Sequence, residues 1–302
     1  ATADPKLMLD LMPFINIIIR GESELVLSNL LGKFSNKQNI YDEDGIAYLE
    51  NNDVISTKRQ KLINDLDILS PYDYSLFDKQ VFIRPYNGTL VKAIDYELSR
   101  GCIYSCSYCV ETVIQRYYEF NDITSSGAIK NAKSYLRNKS AKMIFSEIQF
   151  LSKTYEIELF RCQDTNFLTI NRKVLLELAD LIDNSDIKIK LYIETRPEGI
   201  NESTIELMKK LKIDGVGMGV ELSSEDFRES NLNRFANQEK TINAFRLLKE
   251  NGIKATSYNV IGFPNQTEES ILNTIEFNKI LDPDNITVAY YSPYYGTDQQ
   301  RK

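Results

Sequence analysis

The clearest pattern in the chain is an alternation of apolar and other side chains in its second half. At residues 187–193 every second position is isoleucine or leucine, and Lys188, Lys190 and Tyr192 lie between them. A period of two indicates a strand with one buried face. Similar short apolar runs recur, and we predict strands near residues 91–98, 156–161, 187–193, 214–220, 256–261 and 286–291.

The segments between these strands have the period of amphipathic helices. Asn171 precedes one such segment, and Thr267 precedes another whose first turn contains Glu268 and Glu269. Asparagine and threonine cap helix N-termini, and the helix dipole favours acidic side chains in the first turn. Strands that alternate with helices predict a parallel sheet with right-handed crossovers. The predicted fold class is therefore α/β, and six strands suit either an open doubly wound sheet or a partly closed barrel.

The N-terminal region follows a different pattern. It predicts a strand at residues 15–19 and a helix at residues 22–32. Two apolar runs joined by an Asn-Asn-Asp turn predict a hairpin at residues 45–58. Residues 62–77 contain scattered acids and a proline, which predict a linker.

Composition and charge narrow the classes of partner. Hydrophobic residues are 42% and charged residues 26% of the chain, as in ordinary folded proteins. The net charge of −7 disfavours a broad hold on nucleic acid. The longest apolar run, near residues 14–19, is far shorter than the roughly 18 residues that span a bilayer. We therefore predict no nucleic-acid partner, no membrane association and no signal peptide.

The chain has four cysteines and no histidine. Four cysteines do not build a disulfide scaffold in 302 residues, so a reducing, cytoplasmic location is predicted. The lack of histidine excludes Ser-His and Cys-His nucleophile pairs, and it excludes histidine-ligated zinc or haem.

Three of the cysteines share one short segment, with the spacing Cys102-x₃-Cys106-x₂-Cys109. The segment follows the first strand of the α/β series, at a carboxyl end where such sheets place their ligands. Three thiolates are too few for a Cys₄ zinc site, and no histidine could complete one. A 4Fe–4S cluster on three cysteines keeps one iron open for a chelating small molecule. An electron-transfer ferredoxin needs a fourth cysteine nearby, and Cys162 is most simply a buried thiol.

This spacing, with Tyr108 directly before the third cysteine, resembles the signature of the radical S-adenosylmethionine (radical SAM) enzymes. The resemblance implies a 4Fe–4S cluster on Cys102, Cys106 and Cys109, SAM on the open iron, and Tyr108 beside the cofactor. It implies a partial, six-stranded TIM-like βα barrel, which agrees with the predicted strand count. It also implies reductive cleavage of SAM to methionine and a 5′-deoxyadenosyl radical that abstracts hydrogen from the substrate.

Further segments resemble, in order, the branch of this family that carries an N-terminal cobalamin-binding domain: RGCIYSCSYC, FRCQDTNF, GVGMGVELSS, NVIGFPNQTEES and YYSPYYGT. The resemblance implies the remnant of a Rossmann-like domain at residues 1–35, a hairpin and linker at 36–88, and the radical SAM barrel at 89–302. Earlier strands of the cobalamin domain are absent from the sequence. We therefore expect the strand at 15–19 to lack sheet partners, and a longer natural form to bind cobalamin.

The same resemblance implies which strand ends face SAM. Asp164, after the second strand, lies on the side of SAM and substrate, although an Asx turn or a helix cap is the alternative role. Glu194 and Arg196, after the third strand, are candidate contacts of the SAM ribose, the methionine carboxylate or the substrate. The alternative for this pair is an ion pair at the barrel rim.

The fourth and fifth strands contribute the remaining candidates. Glu221 matches a strand-end glutamate that contacts SAM or substrate, and Arg234 is a candidate for the SAM carboxylate. Ile261 begins a motif that packs on adenine in the family. The alternating glycines of residues 215–219 do not form a dinucleotide-binding fingerprint, so we expect them to allow close packing.

The resemblance implies a radical SAM enzyme that, in full-length form, is most often a cobalamin-dependent methyltransferase. A cyclase or rearrangement enzyme that abstracts hydrogen without methyl transfer is the first alternative. A non-catalytic iron–sulfur protein in electron transfer or redox sensing is the second. The expected partners are a small-molecule or peptide substrate and a reductant such as flavodoxin or ferredoxin.

Overall fold

Twelve β-strands form the framework of the described residues, which are 1–301 of a computed structural model. In chain order they are β1 (Ile17–Ile19), β2 (Ile46–Glu50), β3 (Asp53–Ser56), β4 (Ile83–Tyr86), β5 (Thr89–Tyr96), β6 (Ser99–Arg100), β7 (Arg137–Asn138), β8 (Leu159–Cys162), β9 (Lys190–Thr195), β10 (Ile213–Glu221), β11 (Lys254–Ile261) and β12 (Asn285–Tyr290). The α-helices are α1 (Pro5–Leu11), α2 (Glu24–Ser35), α3 (Glu111–Tyr117), α4 (Ala132–Tyr135), α5 (Ala141–Tyr155), α6 (Arg172–Asp183), α7 (Glu202–Lys210), α8 (Glu225–Leu232), α9 (Gln238–Glu250) and α10 (Glu268–Leu281). None of these described helices is both long and apolar enough to cross a bilayer.

The chain divides into two units. The larger unit comprises residues 65–103 and 132–292, and the smaller comprises residues 1–64, 104–131 and the segment from residue 293. Cys102 therefore belongs to the larger unit, and Cys106 and Cys109 belong to the smaller. The sequence-based division at residues 35 and 88 is a different one and stays a prediction.

The larger unit is built on a seven-stranded sheet with the order β12-β11-β10-β9-β8-β5-β4. All six strands predicted for the α/β series are present and parallel to one another. The sheet curls into a half-barrel, which confirms the partly closed barrel and not the open doubly wound sheet. The carboxyl ends of these strands therefore meet along one rim.

The seventh strand, β4, was not predicted. It pairs antiparallel with β5 at the edge of the sheet, through a two-residue Asn87-Gly88 turn in which both residues have positive φ. Pro85 lies within β4, and proline is tolerated in a sheet only at such an edge. The predicted hairpin-and-linker region, residues 36–88, thus contains an additional strand near its end.

The two faces of this sheet differ in chemistry. Outward side chains pack on the surrounding helices, and they include the fully buried Phe160, Leu191, Val216 and Met218. Apolar burial of this kind supplies most of the stability of such a fold. Inward side chains on the half-barrel are more polar, and Asp95 and Arg161, paired in register, are two of them.

Two predicted helix caps are confirmed. The Asn171 side chain accepts a hydrogen bond from the Lys173 amide at the start of α6, at 3.0 Å. The Thr267 side chain does the same for the Ser270 amide at the start of α10, at 3.2 Å. These bonds satisfy amides that a helix leaves without partners at its first turn.

The smaller unit contains an antiparallel sheet with the order β1-β2-β3. The predicted hairpin is confirmed as β2 and β3. The prediction that the first strand lacks partners is wrong, because residues 17–19 pair with residues 46–48 of that hairpin. Val26, Leu30 and Ile46 form the buried core beneath this sheet.

Candidate active site at the strand ends

The cysteine segment begins just after β5, in the larger unit. Its first residues form β6, which pairs with β7. Gly101 follows with φ of +93°, and a Cβ at this position would lie 2.7 Å from the Tyr135 carbonyl oxygen. Glycine is therefore required for the backbone to reach Cys102, whose side chain is buried.

Cys106 and Cys109 lie on a turn of the smaller unit that leads directly into α3. The Cys109 amide donates to the Cys106 carbonyl at 3.0 Å. The Thr112 hydroxyl donates to the Cys109 carbonyl at 2.8 Å. Tyr108, between the two cysteines, is half-buried. The turn that carries these two thiols is thus fixed by hydrogen bonds on its helix side.

The donor chemistry of the segment suits an iron–sulfur cluster. None of the four cysteines, all within the described residues, forms a disulfide. No three cysteine, histidine or carboxylate side chains in residues 1–301 converge on a point where one metal ion would bind. A cubane does not require this, because each thiolate binds a different iron. Cys162 differs from the others, since it is fully buried in the core and burial raises the pKa of its thiol well above the usual range.

Asp164 follows β8 and is almost completely buried. Its Oδ1 accepts hydrogen bonds from the amides of Leu98 and Ser99, at 3.1 and 2.6 Å, and from the Ser99 hydroxyl at 2.5 Å. Burial raises the pKa of the Asp164 carboxyl to about 7, although these hydrogen bonds act in the opposite direction. Its Oδ2 is buried without a hydrogen-bond partner in the described structure. Oδ1 thus holds the start of the cysteine segment, and the buried Asp164 is a positioning residue of that segment.

The structure brings Glu221 and Arg234 together, as two candidates of the same site. Their side chains are buried and their charged atoms lie 3.8 Å apart. Arg234 also donates to the Gly219 carbonyl. Glu221 has φ of +64°, and the Leu222 amide donates across it to the Val220 carbonyl at 2.9 Å. This three-residue γ-turn is strained for a residue with a side chain, and such strain concentrates at functional sites.

Glu194, near the end of β9, projects from the inner face of the sheet. Tyr258 donates a hydrogen bond to its carboxylate at 3.2 Å, and the Tyr192 and Tyr258 hydroxyls are 2.8 Å apart. Burial raises the pKa of the Glu194 carboxyl, while Tyr258 and then Arg161 act in the opposite direction. Glu194 is therefore a partly buried acceptor that faces the interior of the half-barrel.

Arg196, the other candidate from the end of β9, forms an ion pair with Glu198. Its guanidinium lies 2.6 Å from the Glu198 carboxylate and 3.2 Å from the Phe235 carbonyl. Burial alone would raise the pKa of Glu198, but Arg196 and Arg234 lower it below its usual value. An ion pair at the barrel rim was the alternative role for Glu194 and Arg196. Arg196 does form such an ion pair, but its partner is Glu198 and not Glu194.

Arg228 is a structural residue of the site that the sequence did not indicate. It is 1% exposed and donates to the carbonyls of Leu222, Ser223 and Ala236. A buried guanidinium that satisfies three carbonyls fixes the turn after β10. Hydrogen bonds from Arg228 therefore stabilise the turn that follows Glu221.

Ile261 ends β11 and is followed by a tightly bonded turn. Its carbonyl accepts from the Tyr291 amide at 2.7 Å. Gly262 has φ of +86°, and its amide donates to the Gln266 side chain at 2.6 Å. The Phe263 ring stacks on Tyr291 with centroids 4.8 Å apart. The Ile261 side chain is half-buried and lies on the outer face of the sheet, beside Ile271 and Ile275 of α10, so the structure does not direct it to the SAM side.

The half-barrel and the cysteine spacing lead to one family. A sequence model of the Radical SAM superfamily matches residues 96–277. The chain belongs to the Radical SAM superfamily. The match contains the three clustered cysteines and the strand ends at Asp164 and Glu221. This family uses a 4Fe–4S cluster and SAM, so both are cofactors of this radical SAM enzyme.

Curated relatives of this radical SAM chain differ in activity. The anaerobic magnesium-protoporphyrin IX monomethyl ester cyclase of Rubrivivax gelatinosus is 28% identical over 296 residues, which cover 95% of this chain and 48% of that protein. An uncharacterized methyltransferase of Pyrococcus horikoshii is 26% identical over 298 residues, which cover 98% of this chain and 60% of that protein. The chain thus spans about half the length of the curated relatives it matches.

Solved structures share the fold. The radical SAM methyltransferase TsrM from Kitasatospora setae, with cobalamin and a 4Fe–4S cluster bound, superposes with a TM-score of 0.73 at 16% sequence identity. The match covers 97% of this chain and 55% of TsrM. Cobalamin is therefore present in a structural neighbour of this radical SAM chain.

Proposed function

We propose that this chain is the catalytic core of a radical SAM enzyme that, in full-length form, is a cobalamin-dependent methyltransferase. The superfamily match over residues 96–277, which includes the cysteine segment, carries the proposal. The methyltransferase relative and the fold of TsrM support the finer assignment. When bound, the cluster and SAM supply a 5′-deoxyadenosyl radical, with the electron delivered by a flavodoxin or ferredoxin.

Cys102, Cys106 and Cys109 would hold the cluster. A thiol must lose its proton to bind iron, so ligands need a setting in which the thiolate is favoured. Cys162 lies in the opposite setting, since burial raises the pKa of its thiol. The proposal therefore assigns three cysteines to the cluster and excludes the fourth.

The rim residues would bind SAM across the strand ends. Glu221 offers a carboxylate acceptor for hydroxyl or ammonium protons, and Arg234 beside it offers donors for the SAM carboxylate. Asp164 positions the start of the cysteine segment through Leu98 and Ser99, and Tyr108 offers ring surface. Because these groups hold SAM before reaction, their substitution should weaken SAM binding and leave the iron in place.

Cyclisation or rearrangement without methyl transfer is the second candidate. The cyclase of Rubrivivax gelatinosus, 28% identical over nearly the whole chain, favours it. The two activities differ in how SAM is consumed. Transfer of the SAM methyl group leaves S-adenosylhomocysteine, whereas reductive cleavage leaves methionine and 5′-deoxyadenosine. A full-length form that makes only 5′-deoxyadenosine with its substrate would favour the second candidate.

Iron content tests the cysteine assignment. Anaerobically reconstituted chain should hold about four irons and four sulfides. Cys106→Ala should lose the cluster, because two thiolates do not hold a cubane. Cys162→Ala is the matched control and should keep it. Loss of iron in Cys162→Ala with retention in Cys106→Ala would overturn the assignment.

Reduction with dithionite tests SAM chemistry. Saturating SAM should change the electron paramagnetic resonance signal of the reduced cluster and release 5′-deoxyadenosine slowly without substrate. Glu221→Gln should weaken SAM binding while iron content is unchanged. No spectral change and no 5′-deoxyadenosine in protein with full iron content would contradict the proposed chemistry.

A further inference from the structure

Residues 294–300 of the smaller unit fold against the turn that carries Cys106 and Cys109. The segment is itself closed by backbone hydrogen bonds between residues three apart, at 3.1 and 3.2 Å. Within it, Thr297 is fully buried and the Gln299 side chain is almost so. Polar side chains are seldom this buried unless they have specific hydrogen-bond partners. The partners of this segment therefore indicate its role.

Gln299 binds one of the two residues that lie between the cysteines. Its backbone amide donates to the Ser107 carbonyl at 3.1 Å, and its side-chain amide donates to the Ser107 hydroxyl at 3.3 Å. Ser107 directly follows Cys106 and is buried as well. The two residues are 192 positions apart in the chain, so this contact is tertiary and not part of the local turn. The backbone and the side chain of Gln299 thus hold the same residue of the cysteine turn.

The same segment also contacts α3, the helix that begins two residues after Cys109. The Arg116 guanidinium lies 2.7 Å from the Asp298 carboxylate and donates to the Gly296 carbonyl. Gly296 has φ of +83°, and a Cβ at this position would lie 3.0 Å from the nearest side chain, so glycine is required for this turn. The ion pair is partly exposed and adds little by itself. The buried contact of Gln299 is therefore the main attachment of the segment to the cysteine turn.

A cubane cluster needs its thiolates at defined positions. Cys106 and Cys109 are held together locally by one backbone hydrogen bond of 3.0 Å. A single turn of this kind opens readily when nothing packs on it. Residues that contact the backbone around metal ligands orient those ligands and strengthen the site. A buried tertiary contact at Ser107 therefore restricts the two thiols more than the local turn does alone.

We propose that Gln299 is a positioning residue for the cluster, which acts through Ser107 to fix the turn that carries Cys106 and Cys109. This role depends on the proposed function, because it assumes that these two cysteines bind the cluster. It also gives a purpose to the segment YYSPYYGT, which ends two residues before Gln299 and contributed no candidate site residue.

Hydrogen–deuterium exchange of the chain before iron is added tests the contact directly. Gln299→Leu keeps the approximate size of the side chain and removes the donor to the buried Ser107 hydroxyl. Backbone amides of residues 104–111 should then exchange about tenfold faster, while those of β1–β3 stay unchanged. Gln300→Leu is the matched control, because the Gln300 side chain accepts from the Gly296 amide within the segment, at 3.2 Å. It should leave exchange of both regions unchanged.

The cluster-loaded chain should show the same dependence. Iron content of the Gln299→Leu variant should stay near four after anaerobic reconstitution, because all three cysteines are present. Loss of this iron to a chelator should be about tenfold faster than in the unsubstituted chain, and the electron paramagnetic resonance signal of the reduced cluster should be broader. In a Ser107→Ala background, Gln299→Leu should add no further acceleration, because the side-chain contact is already absent.

Three outcomes would overturn the inference. Exchange and iron loss could be equal in the Gln299→Leu and Gln300→Leu variants. Faster exchange could extend over the whole smaller unit, in which case Gln299 would support only the fold. The effect of Gln299→Leu could also be undiminished in the Ser107→Ala background, so that Gln299 would not act through Ser107. An unsubstituted chain that binds no iron would contradict the proposed function, while exchange of residues 104–111 would still decide whether Gln299 holds the turn.

Discussion

At the scale of single residues, the rim combines strain with buried charge. Glu221 has a positive φ and lies beside Arg234, and Asp164 is a buried carboxyl that holds the cysteine segment through Ser99. Both arrangements oppose stability, since a side chain is strained at positive φ and an ionised carboxylate is disfavoured by burial. The fold tolerates them because backbone and side-chain hydrogen bonds fix each group in place.

The strain at Glu221 should appear in a comparison of Glu221→Gly with Glu221→Ala. Both substitutions remove the carboxylate, but only glycine adopts φ of +64° without steric conflict. We expect the glycine variant to be more stable than the alanine variant by about 1 kcal/mol. Urea unfolding followed by circular dichroism measures the difference. Equal midpoints for the two variants would show that position 221 is not strained.

The buried carboxyl of Asp164 should make stability depend on pH. Its folded pKa of about 7 lies above the usual value of 3.8, so the native state binds the proton more tightly than the unfolded state. Stability therefore falls as pH rises from about 4 to about 7. Asp164→Asn keeps an acceptor for Ser99 and removes the titration. Relative to the unsubstituted chain, this variant should gain up to about 3 kcal/mol between pH 5 and pH 8.

Urea titrations of both proteins at several pH values measure this gain. Asp10→Asn, at an exposed position on α1, is the control and should show no such trend. A stability difference between Asp164→Asn and the unsubstituted chain that is constant with pH would contradict a raised pKa.

The sequence predicted the acidic residues at the strand ends but not the residues that support them. Strand ends in a parallel sheet share one rim, so Asp164, Glu194 and Glu221 could be selected from their positions after predicted strands. The residues that support these strand ends could not be selected in this way. Arg228 donates to backbone carbonyls of the turn after β10, and the shape of that turn has no local sequence signal. Arg196 likewise pairs with Glu198, two residues away, in a 3₁₀ turn that the strand pattern did not predict.

At the scale of elements, the central strand β10 depends on its glycines. A Cβ at Gly217 would lie 2.5 Å from the Tyr258 hydroxyl and 2.7 Å from the Tyr192 hydroxyl. A Cβ at Gly215 would lie 2.6 Å from the Tyr86 hydroxyl. The glycines therefore make room for tyrosines that cross the inner face. The expectation that these glycines allow close packing is confirmed.

Alanine substitutions at two glycines should have opposite effects. Gly217→Ala should destabilise the larger unit by about 1–3 kcal/mol, because Tyr258 and Tyr192 have to move. Gly32→Ala in α2 meets no atom within 4 Å and should stabilise its helix by up to about 1 kcal/mol. Urea unfolding compares the two variants. A neutral Gly217→Ala would show that the tyrosines are not packed on β10.

The sequence pattern missed the short strand β4 and the sheet pairing of β1. The six parallel strands have apolar runs that mark them, but β4 has four residues and includes Pro85. Its only signal was the Asn87-Gly88 pair, which is typical of a two-residue hairpin turn. The pairing of β1 with the β2–β3 hairpin joins segments about 30 residues apart, and local periodicity carries no information about such contacts.

At the scale of the whole molecule, the larger sheet ends in an exposed edge. β12 pairs with β11 on one side and with no other strand in the described residues. Its outer face presents Ile286, Val288 and Tyr290, which are 54–84% exposed. An apolar strand with unpaired backbone groups is a template for association with another chain. The isolated chain should therefore self-associate as its concentration rises.

A charge on this edge tests the expectation. Val288→Lys should reduce concentration-dependent association in sedimentation velocity, because lysine disfavours pairing of strand edges. Leu176→Lys, on the exposed surface of α6, is the matched control and should not. Association that is equal in both variants and in the unsubstituted chain would exclude β12 as the contact.

Cobalamin binding is the last property of the whole molecule that can be tested. A Rossmann-like domain binds its ligand at the carboxyl ends of several parallel strands. The sheet of the smaller unit is antiparallel throughout, and β1 contributes three residues to it. The chain also has no histidine to offer the cobalt. We expect these 302 residues not to retain hydroxocobalamin in equilibrium dialysis, whereas TsrM, whose structure contains cobalamin, is the positive control. Retention of one equivalent by this chain would mean that the described residues contain a cobalamin site of another kind.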